Sequence, residues 1–407
     1  MHHYESYTLP SGLRMIHFYV DSPVAYCGFS INAGTRDEQL GQFGIAHFTE
    51  HLLFKGTRKR RYGHIINRME NVGGELNAYT TKEETFIYSV FLEEHFERAF
   101  ELLSDLTFNS QFPDNEIEKE RDVILDEINS YKDNPAELIF DEFENLLFSG
   151  NEMGHNILGE PEMLESLDKN DFVQFHQSYY QPQNMVFFST GKTPFKKIVR
   201  LADKYLTGII PSNAVQVKRI SPEKRPAQRI TEDKDLYQKH VILGTWGYDS
   251  FNENKTTLFL LNNMLGGPGM NSRLNLSLRE KSGLVYNVES NLTSYTDTGV
   301  FSIYFGCDPK QVEKCISLVN KELKSFREKI LTSSQLNTAK KQLKGQLGVL
   351  CENRENLCLG MGKSFLHRNK YDSLQDIYQK IDHITAKQLL DTANEIFDDS
   401  RIFRLVY

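Results

Sequence analysis

His47-Phe48-Thr49-Glu50-His51 sets two imidazoles and a carboxylate within five residues, at the spacing of one helical turn. On a helix, His47 and His51 stand one above the other on a single face and Glu50 projects beside them. That is half of a zinc site: two neutral imidazole ligands, and a glutamate able to handle the proton of a water molecule. The chain has 12 histidines, and histidines on a helix are usually surface or core residues, so the string alone decides little and its surroundings decide the rest.

A catalytic zinc takes three protein ligands and keeps a fourth position open. Residues 114–131, DNEIEKERDVILDEINSY, offer candidates for the third. Pro113 and Asp114 mark a helix start, and Ile117, Val123, Ile124 and Ile128 form its apolar stripe. Glu120 and Glu127 stand two turns apart on this helix, so one can bind a metal while the other braces the ligand shell. The plainer reading, solvated charges beside Lys119 and Arg121, fits most such runs.

Three segments carry a resemblance. HFTEHLLFKGT (47–57), GGELNAYTTKEETFIYSVF (73–91) and EIEKERDVILDEI (116–128) resemble the catalytic core of the pitrilysin and mitochondrial processing peptidase family of zinc metalloendopeptidases, whose signature is H-x-x-E-H. The resemblance implies one Zn²⁺ per chain, held by His47, His51 and Glu127, with Glu50 as general base and Glu120 as a supporting acid. The spacing from His51 to Glu127 falls one residue short of the family's, a shortfall assigned to the loop before Asp114. In MLGGPGMNSRLNLSLREKSGLVYNVES (264–290), Arg279 and Tyr286 match an arginine and a tyrosine that, in the family, bind substrate and hold the carbonyl under attack. Asn77, Ala78, Tyr79 and Thr80 match an edge strand that pairs with an extended peptide. The implied substrate is a short or unfolded polypeptide. Single-chain relatives enclose it with four such domains, metal site in the first and Arg/Tyr pair in the fourth, so a chain with two implies a homodimer with composite active sites. The alternative within the family is a non-catalytic scaffold or recognition subunit. Such subunits lack part of the metal set, whereas every element is present here.

A length of 407 residues exceeds one hydrophobic core and suggests two domains. A net charge of -8 argues against nucleic acid as a partner, which sets Arg58-Lys59-Arg60-Arg61 down as a solvated loop. GGPGMN lacks the Lys-Ser/Thr of a phosphate-binding loop and reads as a plain turn. Cys27, Cys307, Cys315, Cys351 and Cys358 are scattered and odd in number, as reduced thiols of a cytoplasmic protein would be. No charged start precedes an apolar run and no membrane-length apolar stretch occurs, so neither an export signal nor a membrane partner is expected. His2 and His3 permit a metal-binding end as readily as an idle one.

The order of elements suggests duplication. VAYCGFSINAG reads as a strand, 41–55 as a helix, 75–91 as strands, and 93–107 and 114–131 as helices. HVILGTWGY, 256–265, 274–280, YNVESNLTSY, GVFSIYFG, 309–329 and 333–352 repeat that order about 220 residues later, without the metal residues. The expected fold is α+β: two homologous sandwich domains, each a mostly antiparallel sheet packed with helices, forming half of a clam-shaped chamber. The expected boundaries are 1–208 for the zinc-binding domain, 209–228 for a Pro-bearing polar linker, and 229–407 for the second domain.

Overall fold

The computed structural model describes residues 4–209 and 218–407; His2, His3 and residues 210–217 of the expected linker lie outside them. The central strands are apolar at consecutive positions rather than alternate ones. Met185, Val186, Phe187 and Phe188 are all buried, as are Val241, Ile242 and Leu243. Such a strand needs a layer of helices over each face.

The first sheet contains β1 (Glu5–Thr8), β2 (Arg14–Tyr19), β3 (Val24–Ile31), β4 (Glu75–Thr80), β5 (Thr85–Leu92) and β6 (Met185–Gly191), in the order β1-β2-β6-β3-β5-β4. The second contains β7 (Arg229–Thr231), β8 (Lys239–Trp246), β9 (Val285–Ser294), β10 (Gly299–Cys307) and β11 (Phe403–Val406), in the order β7-β11-β8-β10-β9. Each has one parallel pair, β2 with β6 and β7 with β11, and is otherwise antiparallel. With β1 set aside, the two orders correspond strand for strand, parallel pair included. The α+β fold with a repeated sandwich is therefore present in the topology itself.

The chain forms two compact units whose boundaries differ from 1–208 and 229–407. The first contains the chain up to Asn129, His155–Arg219 and Cys351–Tyr371; the second contains Ser130–Gly154, Ile220–Leu350 and Asp372–Tyr407. The difference comes from two helices. Pro135–Leu147, from the first half of the sequence, lays Leu138, Ile139 and Phe143 against Ile242, Tyr304 and Phe403 of the second sheet. Arg354–Arg368, from the second half, lays Cys358, Met361 and Phe365 against Ile16, Phe86 and Phe188 of the first. Each sheet's opposite face is covered by helices of its own half, such as Phe96–Asn109 and Val312–Glu328. The remaining apolar face must still leave water, at roughly 1.5–3 kcal/mol per large side chain, and a helix from the other half covers it.

The exchanged helix Arg354–Arg368 is fitted closely to its sheet. A Cβ at Gly362 would lie 2.6 Å from the Phe188 ring, so only glycine allows this approach. Glu84, just before β5, pairs with Lys363 (2.9 Å) and accepts a hydrogen bond from His367 Nε2 (2.6 Å). Burial alone would raise the Glu84 carboxyl, but His367, Lys363 and the Thr81 hydroxyl together hold it down to about 2.

The expected linker is not wholly free of its neighbours. Arg219 is partly buried; its guanidinium donates to both Asp37 carboxylate oxygens (2.8 and 3.1 Å) and to the Glu83 carbonyl (2.7 Å), all within the first unit. The helix expected over 274–280 is instead a π-helical turn, Asn275–Glu280, a geometry often found at functional sites. All five cysteines are free thiols.

Candidate metal and catalytic site

His47-Phe48-Thr49-Glu50-His51 lies within the helix Ile45–Leu53, whose Ile45, Phe48, Leu52 and Leu53 are buried in the core of the first unit. The helix Asp114–Lys132 anchors in the same core through Ile117, Ile124 and Ile128. With both helices fixed by apolar stripes, their polar residues are brought together. His47 Nε2 lies 3.9 Å and His51 Nε2 3.8 Å from the same Glu127 carboxylate oxygen. The two imidazole rings are 4.6 Å apart between centroids.

This donor set fits zinc. Ligand atoms about 2.0–2.1 Å from a tetrahedral ion stand roughly 3.3–3.5 Å from one another, so the observed separations need to close by only about half an ångström. Burial, aided by neighbouring His51, lowers the His47 imidazole to about 3, leaving the neutral form that a metal requires. His51 Nδ1 is 3.2 Å from a Glu120 oxygen; with Nε2 turned toward Glu127, Nδ1–H is the donor. The other Glu120 oxygen pairs with Lys55 at 2.7 Å. Lys55 follows His51 by one helical turn, and sequence reasoning passed over it. Its spacing was the signal.

Glu50 is 8% exposed. Burial pushes its carboxyl up to about 7; the Thr80 hydroxyl, which donates to it at 3.2 Å, pulls the other way, and the Glu127 carboxylate adds to the rise. Thr80 ends β4, the edge of the first sheet. Asn77, Ala78, Tyr79 and Thr80 pair with Tyr88, Ile87, Phe86 and Thr85 of β5, and no described strand lies on the outer side of β4. The expected peptide-binding strand and the expected base are thus joined by one hydrogen bond.

Arg279 and Tyr286 belong to the second unit, at the π-helical turn and at the start of β9. The guanidinium stands 5.9 Å from the Tyr286 ring centroid, and Tyr286 is 86% exposed. Glu83, Glu84 and His367 also cluster closely enough to hold an ion. Their charge is already answered: Arg36 pairs with Glu83 at 2.7 Å, and Lys363 and His367 pair with Glu84, so they form an ion-pair network rather than a metal site.

Residues 19–161 match the family described as "Insulinase (Peptidase family M16)", and residues 166–343 match "Peptidase M16 inactive domain". An uncharacterized zinc protease of Bacillus subtilis is 30% identical over 98% of this chain and 97% of its own length. One from Rickettsia bellii is 33% identical over 90% of this chain and 88% of its own. Among solved structures, a protease from Helicobacter pylori has a TM-score of 0.92 at 22% identity, covering 100% of this chain and 99% of that one. A peptidase M16 inactive domain from Pseudomonas fluorescens has a TM-score of 0.91 at 20% identity, covering 99% and 97%. At those identities the structural likeness is one of fold. Among the described residues, no helix is long and apolar enough to cross a membrane.

Proposed function

The chain belongs to peptidase family M16, and from that premise we propose that it is a zinc-dependent endopeptidase hydrolysing short or unfolded polypeptides. The observation that carries this reading is the convergence of His47, His51 and Glu127 beside Glu50, a buried carboxyl whose hold on a proton is strengthened by burial and by the neighbouring Glu127. His47, His51 and Glu127 would hold the metal. When bound, zinc polarises the scissile carbonyl and acidifies the attacking water. Glu50 accepts the water proton and returns it to the leaving amine. Thr80 orients Glu50, and Glu120, held by Lys55, orients His51. The outer edge of β4 pairs with the main chain of the substrate, which favours extended polypeptide with little regard to side chains. The expected test is hydrolysis of a quenched unstructured peptide that a chelator stops and added zinc restores. Hydrolysis indifferent to chelation would overturn the zinc reading.

The same reading includes a homodimer. One chain has the metal residues in its first unit and Arg279 and Tyr286 in its second; Tyr286 is exposed, and Arg279, 3.8 Å from Glu280 in a solvent-accessible ion pair, can be drawn from it to serve a partner's site. Homodimers of Glu50→Gln and of Arg279→Ala should each be nearly inactive. Their heterodimer has one site with both defects and one with neither. After free subunit exchange in an equal mixture, activity should return to roughly a quarter of wild type by this symmetry count. If native mass spectrometry shows exchange and activity stays at the parental level, Arg279 does not act across the dimer.

A further inference from the structure

The helix that carries His47 and Glu50 begins at a residue that cannot cap it. Its N-cap is Gly44, at φ +98°, with no side-chain cap. A Cβ there would lie 2.7 Å from the Leu164 side chain, 2.8 Å from the Leu158 carbonyl oxygen and 2.9 Å from Gly159 Cα. No serine, threonine or aspartate could therefore stand at this position and accept from the first free N–H groups, as helices usually arrange.

The missing acceptor comes from outside the helix. The Glu38 side chain is fully buried; one carboxylate oxygen accepts from Gly44 N–H and the other from Ala46 N–H, both at 2.9 Å. The oxygen that serves Gly44 also accepts from His155 Nε2 at 2.9 Å. His155 is itself fixed on two sides. Its ring stacks on Phe43 at 4.0 Å between centroids, and its carbonyl accepts from Lys82 Nζ at 2.6 Å. An anion bonded to N–H groups at a helix N-terminus has both a favourable dipole and charge-assisted hydrogen bonds.

We propose that Glu38 is the remote cap of the metal-site helix and His155 its brace, and that the pair sets the positions of His47 and Glu50. His47 directly follows Ala46, so a frayed first turn displaces that ligand before any other. Neither Glu38 nor His155 belongs to the converging donor set; both are positioning residues. The inference rests on the zinc reading above.

The test compares wild type, Glu38→Gln and His155→Phe in three measurements: zinc affinity by competition with a chromophoric chelator, kcat and KM on a quenched peptide, and thermal unfolding of the metal-free chains. Glutamine keeps the shape of Glu38 but turns an NH₂ toward a backbone N–H. Phenylalanine keeps the stack on Phe43 and loses the donated hydrogen bond. Glu38→Gln should bind zinc about tenfold more weakly and turn over about tenfold more slowly, the size of an ordinary lost cap, with KM within about twofold because β4 is untouched. His155→Phe should lose about threefold in the same two quantities. A purely structural Glu38 would lower the unfolding temperature and leave zinc affinity and kcat at wild-type values, and that result overturns the proposal. If Glu38→Gln does not fold, His155→Phe decides by the same criteria. A wild-type chain that takes up no zinc overturns the zinc reading itself, an outcome told apart by the wild-type titration.

Discussion

Glu50→Gln is expected to keep about one zinc per chain and to lower peptide hydrolysis by at least about a hundredfold. Glutamine has the shape of glutamate, and its amide oxygen can still accept from the Thr80 hydroxyl, so the local packing survives. Glu50 is not among the three residues whose ligand atoms converge, so the metal should stay. What is lost is the ability to take a proton from water and return it to the amine. Elemental analysis together with turnover of a quenched peptide checks both halves. Loss of zinc from this variant would make Glu50 a ligand and overturn the assignment. A wild-type chain that binds zinc and cuts no unstructured peptide would favour the non-catalytic subunit.

How much of this was legible in the residues depends on how far apart the interacting groups lie along the chain. His47, Glu50 and His51 are neighbours on one helix, and Glu120 and Glu127 on another, so helical spacing alone marks the two faces that the structure brings together. The resemblance then distinguished Glu127 from Glu120. The repeated order of strands and helices was readable because each element has its own apolar pattern. The exchange of Pro135–Leu147 and Arg354–Arg368 between the two units was not, because an amphipathic stripe says that a helix must be covered without saying by which sheet. Glu38 was missed for a related reason. Its partners Gly44 and Ala46 are backbone groups and His155 is distant in sequence, so nothing in residue type marks the triad. Gly44, three residues before His47, has no side chain with which to cap the helix, and its positive φ is visible only in the structure.

Glu127→Gln is expected to abolish zinc binding at ordinary zinc concentrations, whereas Glu120→Gln should weaken zinc affinity or activity by roughly ten- to a hundredfold. The two residues share a helix and a charge, so the difference must come from what each carboxylate meets. One Glu127 oxygen faces Nε2 of both histidines, and an amide in its place is a neutral, poorer donor that leaves the ion with two good protein ligands. Glu120 faces the far nitrogen of His51 with one oxygen and Lys55 with the other. Glutamine at 120 can still accept one of these bonds but not both, so it disorients His51 and leaves Lys55 under-compensated without removing a ligand. Chelator competition on both variants, with circular dichroism to show that each is folded, separates the roles. Should Glu120→Gln lose the metal and Glu127→Gln keep it, the ligand and the brace are exchanged, and the shared oxygen between His47 and His51 would have to be reached from Glu120 by a rotation of the Asp114–Lys132 helix. The buried Ile117, Ile124 and Ile128 oppose that rotation, because turning the helix would carry all three out of the core together.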